Sequence, residues 1–242
     1  AEKSHADAVV FPELTVCGYP PKDLLEKPSF IENNLRTVSE IASRTKETAV
    51  ILGFVSKNDG EVGRPLYNSV GILKNGRVEF VQHKALLPEY DVFDEARYFE
   101  PARTHDVYEL GGMKVGLTAC EDMWSSHSFE GRHLYHNDPM RVLSKAGCEV
   151  LINLSASPFT VDKQAIRRDL ITHASLYHQV IAVYCNQVGG SDELVFDGRS
   201  FVSDSKGRIV HEGKAFEEDF FVVDTDDMKA IGALPEMETE DE

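Results

Sequence analysis

The sequence predicts one mixed α/β domain whose strands are joined both by hairpins and by helices. Its 242 residues, of which 42% are hydrophobic, are enough to bury one substantial core. Short apolar runs alternate along the chain with longer segments of helical periodicity. The run LKNGRVEF carries an Asn-Gly hairpin signal, and SDSKGRIVHEG is typical of a second reversal between strands. Because hairpins accompany the helices, a simple doubly wound parallel sheet is disfavoured.

Strands are predicted where short runs are apolar and rich in β-branched and aromatic residues. In chain order these runs are DAVVFPE, AVILGFV, LYNSVGILKNG, RVEFVQHK, HDVYELGGMKVGLTAC, CEVLINLSA, VIAVYCNQV, GRSFVSD, GRIVHEG and DFFVVDT. Apolar residues spaced near 3.6 predict three helices, from Pro28 to Lys46, Asp138 to Ala146 and Val161 to Tyr177. Asp162 or Thr160 is in position to cap the third helix.

The composition argues against several classes of function. The formal net charge of −16 disfavours binding to nucleic acid or to an anionic membrane surface. No apolar stretch approaches the roughly 20 residues that span a bilayer, and no amino-terminal signal peptide is visible. Four cysteines without a C-x-x-C pair suit a reducing compartment, so we expect a cytoplasmic protein. His133 and His136 lack further ligands at metal-binding spacing, so no metal site is expected.

Three separated segments carry residues that together can hydrolyse an amide. FPEL contains Glu13, HKALLPEYDVFDEARYF contains Lys84, and LTACEDMW contains Cys120. Each lies at a predicted strand end or in the adjoining loop, where α/β proteins assemble reactive groups. Taken singly, Cys120 would be a small core residue, Lys84 a solvated charge and Glu13 a turn or cap residue. The hypothesis of an active site therefore depends on all three together.

The three side chains would have separate tasks in that chemistry. A thiol attacks a carbonyl carbon as a thiolate, so Cys120 needs a base, and an ionised Glu13 can take the proton and later return it to departing ammonia. The attack turns the carbonyl oxygen into an alkoxide, which the Lys84 cation would stabilise. The acyl-enzyme would be a thioester, cleaved by water that the same carboxylate activates.

These segments resemble the three signature segments of the nitrilase, or carbon-nitrogen hydrolase, superfamily. More narrowly, the runs GYPPKDL, LPEYDVFDEARYF, CEDMW, NLSASPF and NQVGGSDELVFDGRSFV resemble the amino-terminal glutaminase domain of glutamine-dependent NAD synthetases. The likeness extends from about Ala8 to about Asp224. It implies an α/β fold of the four-layer αββα sandwich type. The family has a further strand and most of a helix before the segment ADAVVFPE, so we expect the first strand and part of the first helix to be lacking here.

The resemblance also implies roles for individual residues. It makes Cys120 the nucleophile, Glu13 the base and Lys84 the partner of the oxyanion. It implies contacts between glutamine and a second set of side chains: Tyr19, Tyr90, Glu121, Trp124 and Ser157. Among these, Glu121, which directly follows the nucleophile, would meet the α-amino group of the substrate. Glu95 corresponds to a second glutamate beside the lysine, although spacing alone leaves Glu89 open.

The same resemblance implies that glutamine is deamidated and that its ammonia passes to a synthetase domain, which aminates nicotinic acid adenine dinucleotide. We therefore predict an amidohydrolase domain at residues 1–230 and an acidic tail or linker at 231–242, leading toward a synthetase domain that is not in this sequence. ATP and Mg²⁺ would be used by that domain, and no cofactor is expected in this one. The expected partners are glutamine, the synthetase domain and further copies of the chain.

Two other functions fit the sequence. The triad equally permits a stand-alone amidase that acts on another small amide or carbamoyl compound. A non-catalytic oligomerisation or regulatory module that keeps the fold is the third hypothesis, because the start of the family pattern is lacking. Ammonia release from glutamine, compared with a panel of small amides, separates the first two.

Overall fold

Two β-sheets face each other at the centre of the fold. The computed structural model describes residues 4–125, 128–129, 132–133 and 135–231. The first sheet contains, in order across the sheet, β1 (Ala8–Val10), β2 (Ala49–Lys57), β3 (Leu66–Lys74) and β4 (Arg77–His83). The second sheet contains, from edge to edge, β14 (Ile209–Glu212), β13 (Phe201–Ser203), β10 (Ile181–Asn186), β9 (Val150–Ser155), β6 (Met113–Ala119) and β5 (Val107–Leu110).

Helices and short hairpins complete the described part of the chain. The α-helices are α1 (Pro28–Arg44), α2 (Pro139–Lys145) and α3 (Lys163–His178). Outside the two sheets, strands pair as hairpins: β7 (Ser128–Phe129) with β8 (Arg132–His133), β11 (Val188–Ser191) with β12 (Leu194–Asp197), and β15 (Val222–Asp224) with β16 (Lys229–Ile231). Single turns of 3-10 helix occupy Lys22–Glu26, Glu95–Arg97 and Cys120–Trp124.

The core between the sheets is built from strands that are buried on both faces. Ile51 of β2 lies in the cluster between the sheets, together with Ile72, Leu117 and Ile152. Leu52, the next residue of β2, belongs instead to a cluster on the outer face. Because both faces of β2 are covered, its sequence is the nearly continuous apolar run AVILGFV and does not alternate between apolar and polar residues. Fully burying each such Ile or Leu side chain stabilises the fold by about 1.5–3 kcal/mol.

Helices cover the outer faces of both sheets. Val38 and Ala42 of α1 pack on the first sheet in a cluster with Phe54. Leu143 of α2 and Ile171 of α3 pack on the second sheet. The layers therefore follow the order helix, sheet, sheet, helix, which confirms the predicted αββα sandwich.

The predicted helices are all present, and their ends have local causes. Pro28 begins α1, where a missing backbone N–H costs nothing. Asp138 caps α2, because its Oδ1 accepts the N–H of Arg141 at 3.1 Å. For α3, one of the two predicted caps, Asp162, occupies the N-cap position in a helical conformation but does not cap through its side chain. The N–H of Lys163 donates to the carbonyl of Thr160.

The predicted strands are also present, and several segments form strands that were not predicted, among them β7, β8 and β16. HDVYELGGMKVGLTAC forms both β5 and β6, which reverse at Gly111 and Gly112, where φ is +60° and +81°. VGGSDELVFD, for which no strand was predicted, folds into the hairpin of β11 and β12. The described backbone continues to Ile231 in β16, whereas 232–242 of the predicted tail lie outside the described residues. The proposed domain boundary stays a prediction.

The carboxyl ends of four strands position the candidate site. β1 and β2 are parallel, and β4 runs in the same direction because two antiparallel pairings separate it from β2. In the second sheet, β6, β9 and β10 are parallel. Glu13, Lys84, Cys120 and Ser157 follow the carboxyl ends of β1, β4, β6 and β9, the usual location of ligand sites in α/β sheets. Among the described helices, none combines the length and apolar character needed to cross a membrane.

Candidate active site

Lys84 lies at the centre of a buried hydrogen-bonded cluster. Its Nζ donates to Oε1 of Glu13 at 2.8 Å and to Oε1 of Glu95 at 2.8 Å. The hydroxyl of Tyr19 donates to the same oxygen of Glu95 at 2.9 Å. Burial by itself lowers the pKa of Lys84, but attraction by Glu13 and Glu95 raises that pKa well above its usual value. Lys84 is therefore a fixed cation.

Glu13 is held by three donors from three different segments. Its Oε1 accepts from Lys84 and from Nδ2 of Asn68 at 2.7 Å, and its Oε2 accepts the backbone N–H of Ala156 at 3.0 Å. Gly53 of β2 lets the Glu13 turn approach, because a Cβ there would lie 2.2 Å from the nitrogen of Leu14. The carboxylate is thus fixed in place, while Oε2, with one donor, keeps capacity to accept a proton.

Glu95 is a second buried carboxyl group in contact with Lys84. The pKa of Glu95 is raised overall from 4.5 to about 7. Burial is the largest cause, the Lys84 charge lowers the pKa, and the Glu13 charge raises it. Its Oε2 is buried and has no hydrogen-bond partner in the described structure. Glu89 is exposed to solvent. The structure therefore places Glu95, and not Glu89, beside the lysine.

Cys120 begins the 3-10 turn that follows β6. Its φ is +39°, a strained conformation for a residue with a side chain. Burial raises the pKa of its thiol, and the Glu13 carboxylate raises it further, while Lys84 opposes both. Glu13 and Lys84 are thus close enough to Cys120 for their charges to act on its thiol. The resting thiol is neutral, so attack on a carbonyl requires a base.

Glu121 lies under two tyrosine hydroxyls. Tyr90 donates to both oxygens, at 3.0 and 2.9 Å, and Tyr135 donates to Oε1 at 2.8 Å. Burial raises the pKa of Glu121, whereas the hydrogen bond from Tyr135 and the charge of Lys84 lower it. The predicted neighbours Tyr90 and Glu121 are in direct contact. Tyr135 was not predicted, because no motif surrounds it in the sequence.

Lys163 is a second cation at the site, and it was not predicted from the sequence. Its Nζ lies 5.6 Å from the ring centre of Phe93 and 6.0 Å from that of Trp124, within the range of cation–π attraction. Burial lowers its pKa, while Cys120 and Glu121 act in the opposite direction. A lysine as the first residue of α3 is disfavoured by the helix dipole. An unfavourably placed lysine of this kind could have indicated from the sequence that Lys163 has a functional role.

Ser157 is bound within a buried arginine network. Its Oγ accepts from Nε of Arg167 at 3.1 Å, and its carbonyl accepts from the same guanidinium at 2.9 Å. Arg167 also donates to Oδ1 of Asp197 at 2.6 Å. Because the hydroxyl oxygen already accepts from Arg167, its hydrogen is directed elsewhere. Ser157 lies beside Ala156, whose N–H binds Glu13, so the network adjoins the catalytic cluster.

The structure brings the predicted residues together in neighbouring groups. Tyr19, Glu13 and Glu95 lie around Lys84, and Tyr90 contacts Glu121. Cys120 is close enough for the charges of Glu13 and Lys84 to act on its thiol, and Trp124 lines a small cavity together with Cys120. Among the residues whose placement is known, no three His, Cys, Asp or Glu side chains are grouped as metal ligands. The side chain of His133 lies outside the described part of the chain. A neutral thiol, a fixed carboxylate and a fixed cation are the groups that acyl transfer from an amide requires.

Comparison with known proteins agrees with this chemistry. The family model described as carbon-nitrogen hydrolase matches residues 1–233. The glutamine-dependent NAD(+) synthetase of Synechocystis sp. is 36% identical over 251 aligned positions, which cover 100% of this chain and 45% of that protein. The enzyme of the same name from Thermotoga maritima is 39% identical over 229 residues, or 93% of this chain and 37% of that protein.

Solved structures show the same relationships. The glutamine-dependent NAD+ synthetase from Acinetobacter baumannii, determined with adenosine diphosphate, superposes with a TM-score of 0.84 at 35% identity, covering 98% of this chain and 43% of that chain. An amidase of the nitrilase superfamily from Nesterenkonia AN1 superposes with a TM-score of 0.70 at 20% identity, covering 88% of this chain and 75% of that chain, which shows a shared fold.

The chain thus spans about two fifths of the length of the synthetases that it matches. Both parts of the predicted resemblance are confirmed, the wider one by the family model and the narrower one by the synthetases. Since that model covers nearly the whole chain, the protein belongs to the carbon-nitrogen hydrolase family.

Proposed function

We propose that this chain hydrolyses the side-chain amide of glutamine through a thioester on Cys120. The observation that carries the proposal is the position of Lys84, whose Nζ lies 2.8 Å from both Glu13 and Glu95, together with the action of these charges on the Cys120 thiol. The named activity of the matched synthetases supports glutamine as the substrate. We further propose that the ammonia is used for NAD synthesis by a synthetase domain, in which ATP and Mg²⁺ would act.

In the first half of the reaction, Sγ of Cys120 attacks the amide carbon of glutamine while Glu13 takes the thiol proton. The carbonyl oxygen becomes an alkoxide, and the Lys84 ammonium stabilises that charge in a site shielded from water. When the intermediate collapses, the C–N bond breaks and Glu13 returns its proton to the leaving nitrogen. The products of this half are ammonia and a γ-glutamyl thioester.

In the second half, water replaces the thiol. Glu13, ionised again, removes a proton from a water molecule as its oxygen attacks the thioester carbon. Lys84 stabilises the second alkoxide in the same way. The C–S bond then breaks, the proton passes from Glu13 to sulfur, and glutamate leaves. The enzyme returns to a neutral thiol and an ionised carboxylate.

The charges around Cys120 match an amino-acid substrate. Glu121 supplies a carboxylate for the α-ammonium group, and the hydroxyls of Tyr90 and Tyr135 hold that carboxylate in place. Lys163 supplies a partly desolvated cation for the α-carboxylate. An opposite pair of charges in one pocket favours a zwitterion over an uncharged amide.

Substrate analogues test this proposal. Glutaramic acid lacks only the α-ammonium group of glutamine, and 4-aminobutanamide lacks only the α-carboxylate. Ammonia release should be fastest from glutamine, with kcat/KM lower by about 10- to 100-fold for each analogue, because each leaves a buried charge unpaired. Equal rates for all three amides would instead support the stand-alone amidase hypothesis.

The proposal also concerns where the released ammonia is used. Ammonia is protonated in free solution at neutral pH and then no longer a nucleophile, so a synthetase domain would need to lie close to the pocket. Association with that domain is expected on these grounds, and association with further copies of the chain stays a prediction. Location in the cytosol stays a prediction.

A further inference from the structure

One buried carboxylate joins the two sheets at the candidate site. Oδ1 of Asp122 accepts the backbone N–H groups of Ala85 and Leu86, both at 2.9 Å, and its Oδ2 accepts the N–H of Ala119 at 3.1 Å. The first two donors follow β4 in the first sheet, and the third ends β6 in the second sheet. Asp122 is 0% exposed, and Nε2 of His105 lies 3.9 Å from its Oδ2.

The three donors flank the reactive residues. Ala85 directly follows Lys84, and Ala119 directly precedes Cys120. Lys84 is held on the first sheet through its own N–H, which donates to the carbonyl of Asn68 at 2.8 Å. Past that point the chain leaves the strand, and Asp122 takes the next two N–H groups. Cys120 has the strained φ of +39°, which persists only where neighbouring groups hold it.

We propose that Asp122 is a positioning residue that sets the distance and orientation of Lys84 relative to Cys120. This inference rests on the proposed function, because that placement matters only if the lysine stabilises an oxyanion formed on the cysteine. Asp122 contacts no atom that reacts in the proposed mechanism. It acts through the backbone next to Lys84 and Cys120. A shift of about 1 Å between reacting groups lowers the rate about 100-fold.

Asp122→Asn tests the proposal with the smallest change of shape. The new amide can present one oxygen to Ala85 and Leu86, but it then turns an N–H donor toward the N–H of Ala119. Asp204 provides the matched control: it is also buried, and its Oδ1 accepts the N–H groups of Lys206 and Arg208, both at 2.9 Å, in the turn between β13 and β14. Asp204→Asn disturbs a similar carboxylate away from the site.

Steady-state kinetics with glutamine give the first readout. Asp122→Asn should lower kcat about 100-fold while KM stays within about threefold, and Asp204→Asn should keep the native kcat at a similar loss of melting temperature. A native kcat in Asp122→Asn, or the same fall of kcat in both variants, would overturn the proposal. If Asp122→Asn does not fold, Asp122→Glu replaces it: the charge is kept but both oxygens move, so kcat should again fall, and a native kcat would overturn the role in positioning.

Alkylation of Cys120 by iodoacetamide, followed by peptide mass spectrometry, is the second readout and requires no amide hydrolysis. The rate should fall about tenfold in Asp122→Asn and remain native in Asp204→Asn, because the thiol depends on its placement against Glu13. If the unsubstituted protein releases no ammonia from glutamine, the proposed function is refuted. The alkylation rates would then still decide this inference, and equal rates in the two variants would overturn it.

Discussion

Lys84 and Glu95 form a buried ion pair in which Nζ lies 2.8 Å from Oε1, and Tyr19 donates to that same oxygen. The opposite oxygen of Glu95 has no partner, and burial raises the pKa of this group to about 7. Lys84 is thus shared between an acid that titrates near neutrality and the proposed base, Glu13. The charge state of Glu95 decides how firmly Lys84 is held.

We expect kcat/KM for glutamine to rise with pH through about 7, the pKa of Glu95. When Glu95 is protonated, it no longer holds the Lys84 ammonium as an ionic partner, and the lysine is positioned less firmly for the developing oxyanion. When Glu95 ionises, its ion pair with Lys84 holds the lysine in place. Glu95→Gln should lose this limb of the pH profile and lower kcat at pH 8. A native profile in this variant would show that Glu95 is not the titrating group.

Glu95 should also make the free energy of unfolding depend on pH. The pKa of Glu95 is raised from 4.5 to about 7 in the folded protein, so the native state binds more protons than the unfolded state between these values. Its contribution to the free energy of unfolding therefore falls as pH rises from about 4.5 to about 7 and is constant above. Urea unfolding of Glu95→Gln at pH 5 and pH 7.5 should show the variant gaining relative to native at the higher pH. No change in that difference between the two pH values would contradict the assignment.

Removing Lys84 should affect folding as well as catalysis. Lys84→Met leaves Glu13 and Glu95 buried without their cation, a change that typically costs about 3–5 kcal/mol of unfolding free energy. Adding Glu95→Gln to Lys84→Met should recover part of that loss, because one of the two unpaired charges is then removed. Urea unfolding of both single variants and the double variant measures this coupling, and strict additivity would argue against a shared cluster.

Lys163 should govern recognition of the α-carboxylate. Lys163→Met should lower kcat/KM for glutamine about 10- to 100-fold, mainly through KM, and leave the already slow hydrolysis of 4-aminobutanamide nearly unchanged. Lys206→Met removes an exposed lysine and serves as the control for loss of charge. An equal fall of kcat/KM for both amides would mean that Lys163 supports the pocket but does not bind the α-carboxylate.

The parts that were predicted from sequence are those with a local signal. Periodicity located α1, α2 and α3, and apolar runs located the strands of both sheets, because burial on one or two faces leaves that pattern directly. The three reactive residues could be named because their chemistry is complementary. The four-layer arrangement required the resemblance, since periodicity alone does not specify how sheets face each other.

The parts that were missed depend on contacts between distant segments. Asp122 binds N–H groups 36 and 37 residues away, and Arg167 binds Asp197 30 residues away. No spacing in the sequence encodes such pairs. Glu89 and Glu95 could not be separated for a related reason: both lie in an aperiodic loop, and only the fold shows that the 3-10 turn Glu95–Arg97 buries the second one.

Ammonia release by Cys120→Ala shows whether Cys120 is the nucleophile of glutamine hydrolysis. Cys148→Ala is the matched control, because it removes another buried thiol that lies in the core between α2 and the second sheet. Both variants should fold as the native protein does by circular dichroism, and Cys148→Ala should release ammonia at the native rate, whereas Cys120→Ala should release none that is detectable. Release by Cys120→Ala at a rate near that of the native protein would mean that another group is the nucleophile.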